Sequence, residues 1–263
     1  ILSKAKDLRL TTTGSFATLR MTLFLLLCLP LLAACTSMPD YLAQLNLIRS
    51  QKLPELTTEL ASTDLKPGSP MFIRIFKQEG ELELWVRNDP TGLYQPFKTY
   101  QICKENPTPG PKLARGDKKS PEGFYDVTEE RLWPGSQYHL AMNIGYPNEY
   151  DRSLDRTGDK LMIHGGCKSE GCFAMTDSGI EEIYILAEQS LLAGNDSVPV
   201  HIFPFRMTPD NMRAHAKSEW VPFWTELKQG YDLFEQNKFP PSVVASEGKY
   251  LFAPQVFKYA GAI

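Results

Sequence analysis

The chain has 263 residues and a formal net charge of −3, from 28 basic and 31 acidic residues. This near balance gives no electrostatic footprint for nucleic-acid binding. A content of 42% hydrophobic and 22% charged residues excludes a disordered chain and supplies the core of one large domain, or of a domain with an appendage.

The N-terminal part carries an export pattern. Met21 to Ala34 form an apolar run as long as a signal-peptide core and too short for a comfortable membrane span. The run ends in Leu32-Ala33-Ala34-Cys35, which resembles the lipobox of bacterial lipoproteins. The resemblance implies a leader over 1–35, a lipid on Cys35 that anchors the protein to a membrane, and a location on the periplasmic side of the envelope. The alternative is a plain secretory signal cleaved nearby, with Cys35 incidental.

Residues 36–69 are predicted to form a helical tether and linker. Apolar residues recur at helical spacing from Pro39 to Ile48, which predicts a short amphipathic helix. The stretch from Ser62 to Pro70 is rich in proline, glycine and serine, as linkers are.

Residues 70–206 are predicted to form the next domain, and its first half has strand patterns. Met71–Phe76 and Glu81–Val86 flank a turn at Gly80, which predicts a hairpin. Further strands are expected over Leu93–Cys103 and Phe124–Val127. Short strands between turns predict an α+β fold with a mostly β, sandwich-like or barrel-like domain.

The stretch from Pro134 to Lys160 is loop-rich and holds tyrosines, among them Tyr138, and charged residues. One interpretation is a cover over a cleft that grips a peptide, with Tyr146, Arg152 and Arg156 as contacts. The other is a surface loop with buried tyrosines.

Residues Ile163 to Met175, IHGGCKSEGCFAM, carry the chemistry. An apolar run delivers His164 to the end of a predicted strand, and a glycine-rich loop leads to Cys172. An imidazole one loop away from such a cysteine can take the thiol proton while the sulfur attacks a carbonyl. Gly171 is expected to leave room for that carbonyl, and the Gly171 and Cys172 amides are candidates for an oxyanion hole. Ser169 is expected to orient the imidazole or to line that hole.

A helix is predicted directly after this loop. Ser178 and Glu181 have capping-box spacing, and an apolar stripe runs to Gly194. We expect this helix to fix the turn of Cys172 and its N-terminus to lower the thiol pKa. Val198 to Phe205 predicts a strand in which His201 is a sheet residue.

Residues 207–263 are predicted to form a C-terminal helical extension. Thr208 followed by Pro209 is a helix-start pattern. A later apolar stripe is interpreted as core packing, with the wall of a glycan or peptide groove as the alternative: Phe223, Trp224, Leu227, Tyr231 and Phe234.

The central motif resembles the HG…S-x-G-C signature of the L,D-transpeptidases, or YkuD-domain enzymes, which remodel bacterial peptidoglycan. Ser120 to Tyr125 resembles the family's second conserved segment, and Met142 to Arg152 is similar to the YafK-like branch. The resemblance implies a YkuD fold with Cys172 as acyl-accepting nucleophile and His164 as acid/base. Two positions depart from the family: Glu170 stands where many members have histidine, and Ala174 where most have arginine. Arg152 or Arg156 is a candidate replacement for that arginine, binding a substrate carboxylate.

The resemblance implies acyl transfer on peptidoglycan stem peptides through a thioester on Cys172, in wall crosslinking or remodelling, without a cofactor. One alternative is a hydrolase of the same family that cleaves crosslinks or the bond to a wall-anchored lipoprotein. Another is a non-catalytic wall-binding lipoprotein. A zinc site on His164, Cys167 and Cys172 is a further alternative, but its spacing lacks a second ligand pair.

Five cysteines are present, and three of them, Cys103, Cys167 and Cys172, lie beyond the leader. Three free thiols are the first expectation. A Cys103–Cys167 disulfide that leaves Cys172 free is the second. A Cys167–Cys172 pair, which would disable the nucleophile, is the third.

Overall fold

Two sheets and a helix between them organise the chain in the computed structural model, which describes residues 40–88, 92–104 and 106–253. The helices are α1 (Asp40–Ala61), α2 (Glu149–Ser153), α3 (Asp177–Leu192), α4 (Pro209–Ala214) and α5 (Val221–Asn237), with a 3-10 turn at Glu129–Arg131. The strands are β1 (Met71–Phe76), β2 (Glu81–Val86), β3 (Gln95–Gln101), β4 (Gly123–Val127), β5 (Leu132–Ser136), β6 (His139–Asn143), β7 (Met162–His164), β8 (Phe173–Ala174), β9 (Val198–Phe203), β10 (Ser242–Ser246) and β11 (Lys249–Ala253).

The larger sheet has the order β3-β2-β1-β9-β4 and the smaller one β5-β6-β7-β8. Helix α3 packs on β6 and β7 of the smaller sheet and on β1 and β9 of the larger one. Its apolar face joins both sheets in one core, which includes Ile163 and Phe173 of the motif. The two strands that carry the motif are therefore held by a rigid buried layer. The α+β, β-rich fold predicted from the sequence is confirmed.

Strand β1 is buried on both faces because helices cover the larger sheet from both sides. Ile73 and Ile75 point into the core with α3, whereas Phe72 and Phe76 pack in aromatic clusters with α5. Between those phenylalanines, Arg74 makes ion pairs with Glu83 and Glu235 at 2.7 and 2.6 Å. The predicted apolar stripe on α5 is buried in this layer, which confirms its interpretation as core packing.

Several elements differ from the predictions. Helix α1 has 22 residues and continues past Ile48, because Leu56 and Leu60 also reach the core. Its Arg49 makes a two-pronged ion pair with Glu188 of α3, at 2.7 and 2.6 Å, so the helix packs on the domain. The cap of α3 is Thr176, whose hydroxyl accepts from the Gly179 amide, and not Ser178.

The C-terminal part contains a hairpin, β10–β11, besides the predicted helices, and the stretch 134–160 contains β6 and α2 rather than loops alone. His201 lies in β9, buried between the rings of Phe72 and Phe124, as a sheet residue. None of the described helices is both long and apolar enough to cross a membrane. The predicted leader and Cys35 lie outside the described residues.

Candidate active site

Strand pairing brings the two ends of the motif together. Strands β7 and β8 are parallel, with Ile163 opposite Phe173 and His164 opposite Ala174. The loop between them returns the chain so that Cys172 ends beside the strand that carries His164. Both side chains line each of two cavities that meet at this point.

The His164 imidazole is set up as a proton acceptor. Its Nδ1 lies 2.7 Å from the Gly165 carbonyl oxygen. Because a carbonyl can only accept, Nδ1 carries the proton and Nε2 keeps its lone pair. Burial lowers the pKa of His164, so the ring is neutral at neutral pH. Its face packs on Tyr138, with 4.9 Å between ring centroids.

The Cys172 thiol is free and half-buried. Its Sγ lies 3.6 Å from the Lys160 carbonyl oxygen, to which it donates. Burial raises the pKa of the Cys172 thiol, the reverse of the lowering expected from the following helix. Both shifts favour the uncharged forms, so the resting groups are a neutral thiol and a neutral imidazole.

Gly171 is required by the protein backbone itself. Its φ is +112°, a region that favours glycine, and a Cβ there would lie 3.0 Å from the Lys119 carbonyl oxygen. The expectation that this glycine also makes room for an incoming carbonyl stays a prediction. Within the described residues neither the Gly171 nor the Cys172 amide donates to a protein acceptor. Their role as an oxyanion hole stays a prediction.

Two side chains brace the loop from within. The Ser169 hydroxyl donates to the Cys172 carbonyl at 2.7 Å, and the Asp177 carboxylate accepts from the Gly166 amide at 2.7 Å. Ser169 therefore contacts the turn of Cys172 and not the imidazole, whose orientation comes from the Gly165 carbonyl.

A disulfide joins Cys103 to Cys167. The first expectation, three free thiols, is wrong, and the second pairing is the one observed. Two sets of backbone hydrogen bonds bring the cysteines together. The amides of Cys103 and Lys104 donate to the Ala174 carbonyl, and the Cys167 amide donates to the carbonyl of Met175, which follows Ala174 in the chain. The bond takes Cys167 out of the hypothetical zinc set, and the described residues contain no cluster of three metal-binding side chains.

The two cavities share Tyr138, His164 and Cys172 and differ in the rest of their walls. The first, about 640 Å³, we call the lysine cavity; its other lining residues are Lys104, Cys167, Lys168, Ser169 and Glu170. The second, about 410 Å³, we call the aromatic cavity; its other lining residues are Trp133, Gly135, Ser136, Gln137, Lys160 and Met162.

The three predicted peptide contacts line neither cavity. Tyr146 is 4% exposed, and its hydroxyl donates to the Lys112 carbonyl at 3.3 Å. Arg156 is buried because it neutralises the fully buried Asp151, at 2.8 Å. Arg152 is exposed and donates to the Pro147 carbonyl. The expectation that these residues grip a substrate or replace the family arginine is therefore not met by their positions.

Sequence reasoning missed Trp133 and Lys104, which line the cavities, whereas Tyr138 is one of the tyrosines it expected to cover a cleft. Trp133 and Tyr138 lie on the β5–β6 hairpin, and both remain more than 40% exposed, at 43% and 42%. Exposed aromatic residues beside a proline-glycine pair were a usable signal for a binding surface. Lys104 gave no signal, because only its pairing with Ala174 brings it to the site.

A family model and curated relatives both match this chain to L,D-transpeptidases. Residues 70–202 match the YkuD family, described as the L,D-transpeptidase catalytic domain. YafK of Escherichia coli K12, provisionally assigned as an L,D-transpeptidase, is 49% identical over 184 residues, which is 70% of this chain and 74% of that protein. The YafK protein of Escherichia coli O157:H7 matches to the same extent.

Two solved structures are also similar. A point variant of the helical cell shape determining protein Pgp2 from Campylobacter jejuni has 20% identity and a TM-score of 0.42; the match covers 68% of this chain and 64% of that one, slightly under two thirds. Bd1075 from Bdellovibrio bacteriovorus has 17% identity and a TM-score of 0.38 over 68% of this chain and 77% of that one.

Proposed function

Because this chain belongs to the L,D-transpeptidase family, an enzyme family of peptidoglycan, we propose that it is a cysteine acyltransferase acting on peptidoglycan stem peptides. One observation carries the proposal: a free thiol and a neutral imidazole lie where two cavities meet. An acyl donor can occupy one cavity while an acceptor amine approaches from the other.

The first half-reaction makes a thioester. The thiol proton of Cys172 passes to Nε2 of His164 as Sγ bonds to the peptide carbonyl carbon. The carbonyl oxygen becomes an oxyanion, for which the Gly171 and Cys172 amides are the donors. When the intermediate collapses, the C–N bond breaks and the imidazolium returns its proton to the leaving amine.

The second half-reaction consumes the thioester. An acceptor amine loses a proton to His164 as its nitrogen attacks, and the Cys172 thiolate leaves and is reprotonated. Water can replace the amine, and the product is then a cleaved peptide. The hydrolase and the transferase share every residue named so far, so the acceptor alone separates them.

Product analysis tests the proposal. Full-length protein is incubated with disaccharide-tetrapeptides and, separately, with lipoprotein-linked muropeptides, and the products are identified by mass spectrometry. We expect crosslinked dimers, with a thioester mass increment on the Cys172 peptide after rapid quenching. Released peptides without dimers would favour the hydrolase, and a lack of any product with retained binding would favour a wall-binding protein.

The location in the cell is part of the same proposal. An enzyme of peptidoglycan works in the cell envelope, and the lipobox-like sequence at Cys35 would attach it to a membrane by a lipid. Metabolic labelling with a fatty-acid analogue tests this, since Cys35→Ala should abolish the label and leave the enzyme active.

A further inference from the structure

A row of paired residues crosses the smaller sheet at the site. Ala141 pairs with His164, His164 with Ala174, and Ala174 with Lys104. Directly paired residues on neighbouring strands project from the same face of a sheet. Lys104 is therefore on the face of the imidazole, separated from it by one alanine.

The alanine between Lys104 and His164 is small and fully buried. Strands lie about 4.8 Å apart, so the Cα atoms of Lys104 and His164 are separated by roughly 10 Å. Ala174 fills the position between them with only a methyl group. The flexible four-carbon stem of a lysine can cross this space. Lys104 in fact lines the same cavity as His164 and Cys172.

The positive charge of Lys104 is uncompensated. It makes no ion pair with any residue of 40–88, 92–104 or 106–253, and neither does Lys168 on the opposite wall. The one acidic residue of the lysine cavity, Glu170, is 3.4 Å from Lys118 in an exposed pair. The cavity therefore presents positive charge beside the nucleophile, which suits an anionic ligand.

The backbone of Lys104 is fixed. Its carbonyl accepts from the Ala174 amide at 2.9 Å, and the adjacent Cys103 amide donates to the Ala174 carbonyl at 2.8 Å. Cys103 is also bonded to Cys167 of the catalytic loop. Strand pairing and disulfide together keep Lys104 in register with His164.

We propose that Lys104 binds a carboxylate of the peptide substrate within about one residue of the attacked carbonyl. This role rests on the proposed function for the identity of the peptide. The carboxylate has two sources, the main-chain terminus of the leaving amino acid and an acidic side chain beside the attacked bond.

Alkylation of Cys172 tests the anion site without any peptidoglycan. Iodoacetate and iodoacetamide have the same reactive carbon and differ in charge, and mass spectrometry of the Cys172 peptide gives both rates. We expect Lys104→Met to slow iodoacetate about fivefold, as loss of one nearby charge in a partly solvated site should, and to leave iodoacetamide unchanged. Lys217→Met removes the same charge from an exposed remote position and should change neither rate. An unchanged ratio in Lys104→Met, or an equal loss in Lys217→Met, would overturn the proposal.

Peptide substrates then identify the carboxylate. For a stem peptide with free carboxylates we expect Lys104→Met to raise KM about tenfold, the typical loss of a charge-assisted hydrogen bond. Two further peptides each replace one carboxylate by a carboxamide, one at the terminus and one at the side chain. The rise in KM caused by Lys104→Met should vanish for the peptide that lacks the carboxylate bound by Lys104. Turnover by wild type with no effect of Lys104→Met on any peptide refutes the role of Lys104. A wild type that turns over no peptide refutes the proposed function, and the alkylation ratio still decides whether Lys104 attracts anions.

Discussion

The lysine cavity and the aromatic cavity meet at the same thiol and imidazole but differ in the side chains of their other walls. The lysine cavity has Lys104 and Lys168, which make no ion pair within the described part of the chain, and a disulfide in its wall. The aromatic cavity has the exposed ring of Trp133 with the Lys160 ammonium 5.8 Å from its centroid. Tyr138 belongs to both and packs on the imidazole. We expect a carboxylate to be favoured in the lysine cavity, which has two lysines, and ring contact to be favoured in the aromatic cavity, where Lys160 lies over the Trp133 ring.

The largest effect is expected where the two cavities meet. Cys172→Ala removes the only atom that can form the thioester, so kcat/KM should fall by about 10⁴-fold or more. Peptide affinity should stay within a few-fold, because the walls of the two cavities lose only the sulfur atom of one small side chain. Single-turnover kinetics and calorimetric titration measure the two quantities. Residual thioester formation in the variant would contradict the assignment of the nucleophile.

The imidazole should give the next largest effect and a characteristic pH profile. Burial lowers the pKa of His164, so the proton acceptor stays neutral down to below its ordinary value of about 6.5. We expect kcat/KM to be level at neutral pH and to fall only below the ordinary imidazole pKa of about 6.5, as the ring gains a proton. His164→Gln should lose about 10²- to 10⁴-fold and flatten this acid limb. An acid limb that persists unchanged in the variant would assign it to another group.

The raised pKa of the Cys172 thiol predicts a second pH dependence, an alkylation rate that increases at alkaline pH. Because burial raises the pKa of Cys172, direct alkylation by a neutral reagent should keep increasing above the ordinary thiol range. Enzymatic acylation should not show this rise, since His164 removes the proton during attack. A thiolate signal near 240 nm that titrates below pH 7 would exclude the neutral resting pair.

Removing the disulfide should affect the lysine cavity more than the aromatic one. The double variant Cys103→Ser/Cys167→Ser frees the loop from residue 103 and should cost about 2 to 4 kcal/mol of unfolding free energy. We expect KM for carboxylate peptides to rise about tenfold, since Lys104 loses its fixed register. Denaturant titration and steady-state kinetics measure these effects. Equal losses for carboxylate and carboxamide peptides would show that the disulfide serves stability alone.

The sequence predicted the site better than its surroundings, for physical reasons that differ by residue. His164 and Cys172 are close in the chain, so one loop brings them together and a local motif suffices. Lys104 reaches the site only through a backbone pair with Ala174, which no local pattern encodes. Arg156 looked like a ligand for a carboxylate because nothing in its neighbourhood reveals that Asp151 is buried and requires it. The hairpin β10–β11 was missed because its short strands follow a strong helical stripe.

The smallest effect is expected outside both cavities, at Arg152. Its side chain is exposed and donates to the Pro147 carbonyl beside the buried Tyr146, and it lines neither cavity. Arg152→Ala should therefore leave KM and kcat within about twofold, with a loss of at most about 1 kcal/mol of stability, as for other surface interactions. Lys104→Met, which also removes one positive charge, is the matched comparison with a tenfold rise in KM. If Arg152→Ala raises KM more for carboxylate peptides than for carboxamide peptides, the carboxylate is bound at helix α2 and not in the lysine cavity.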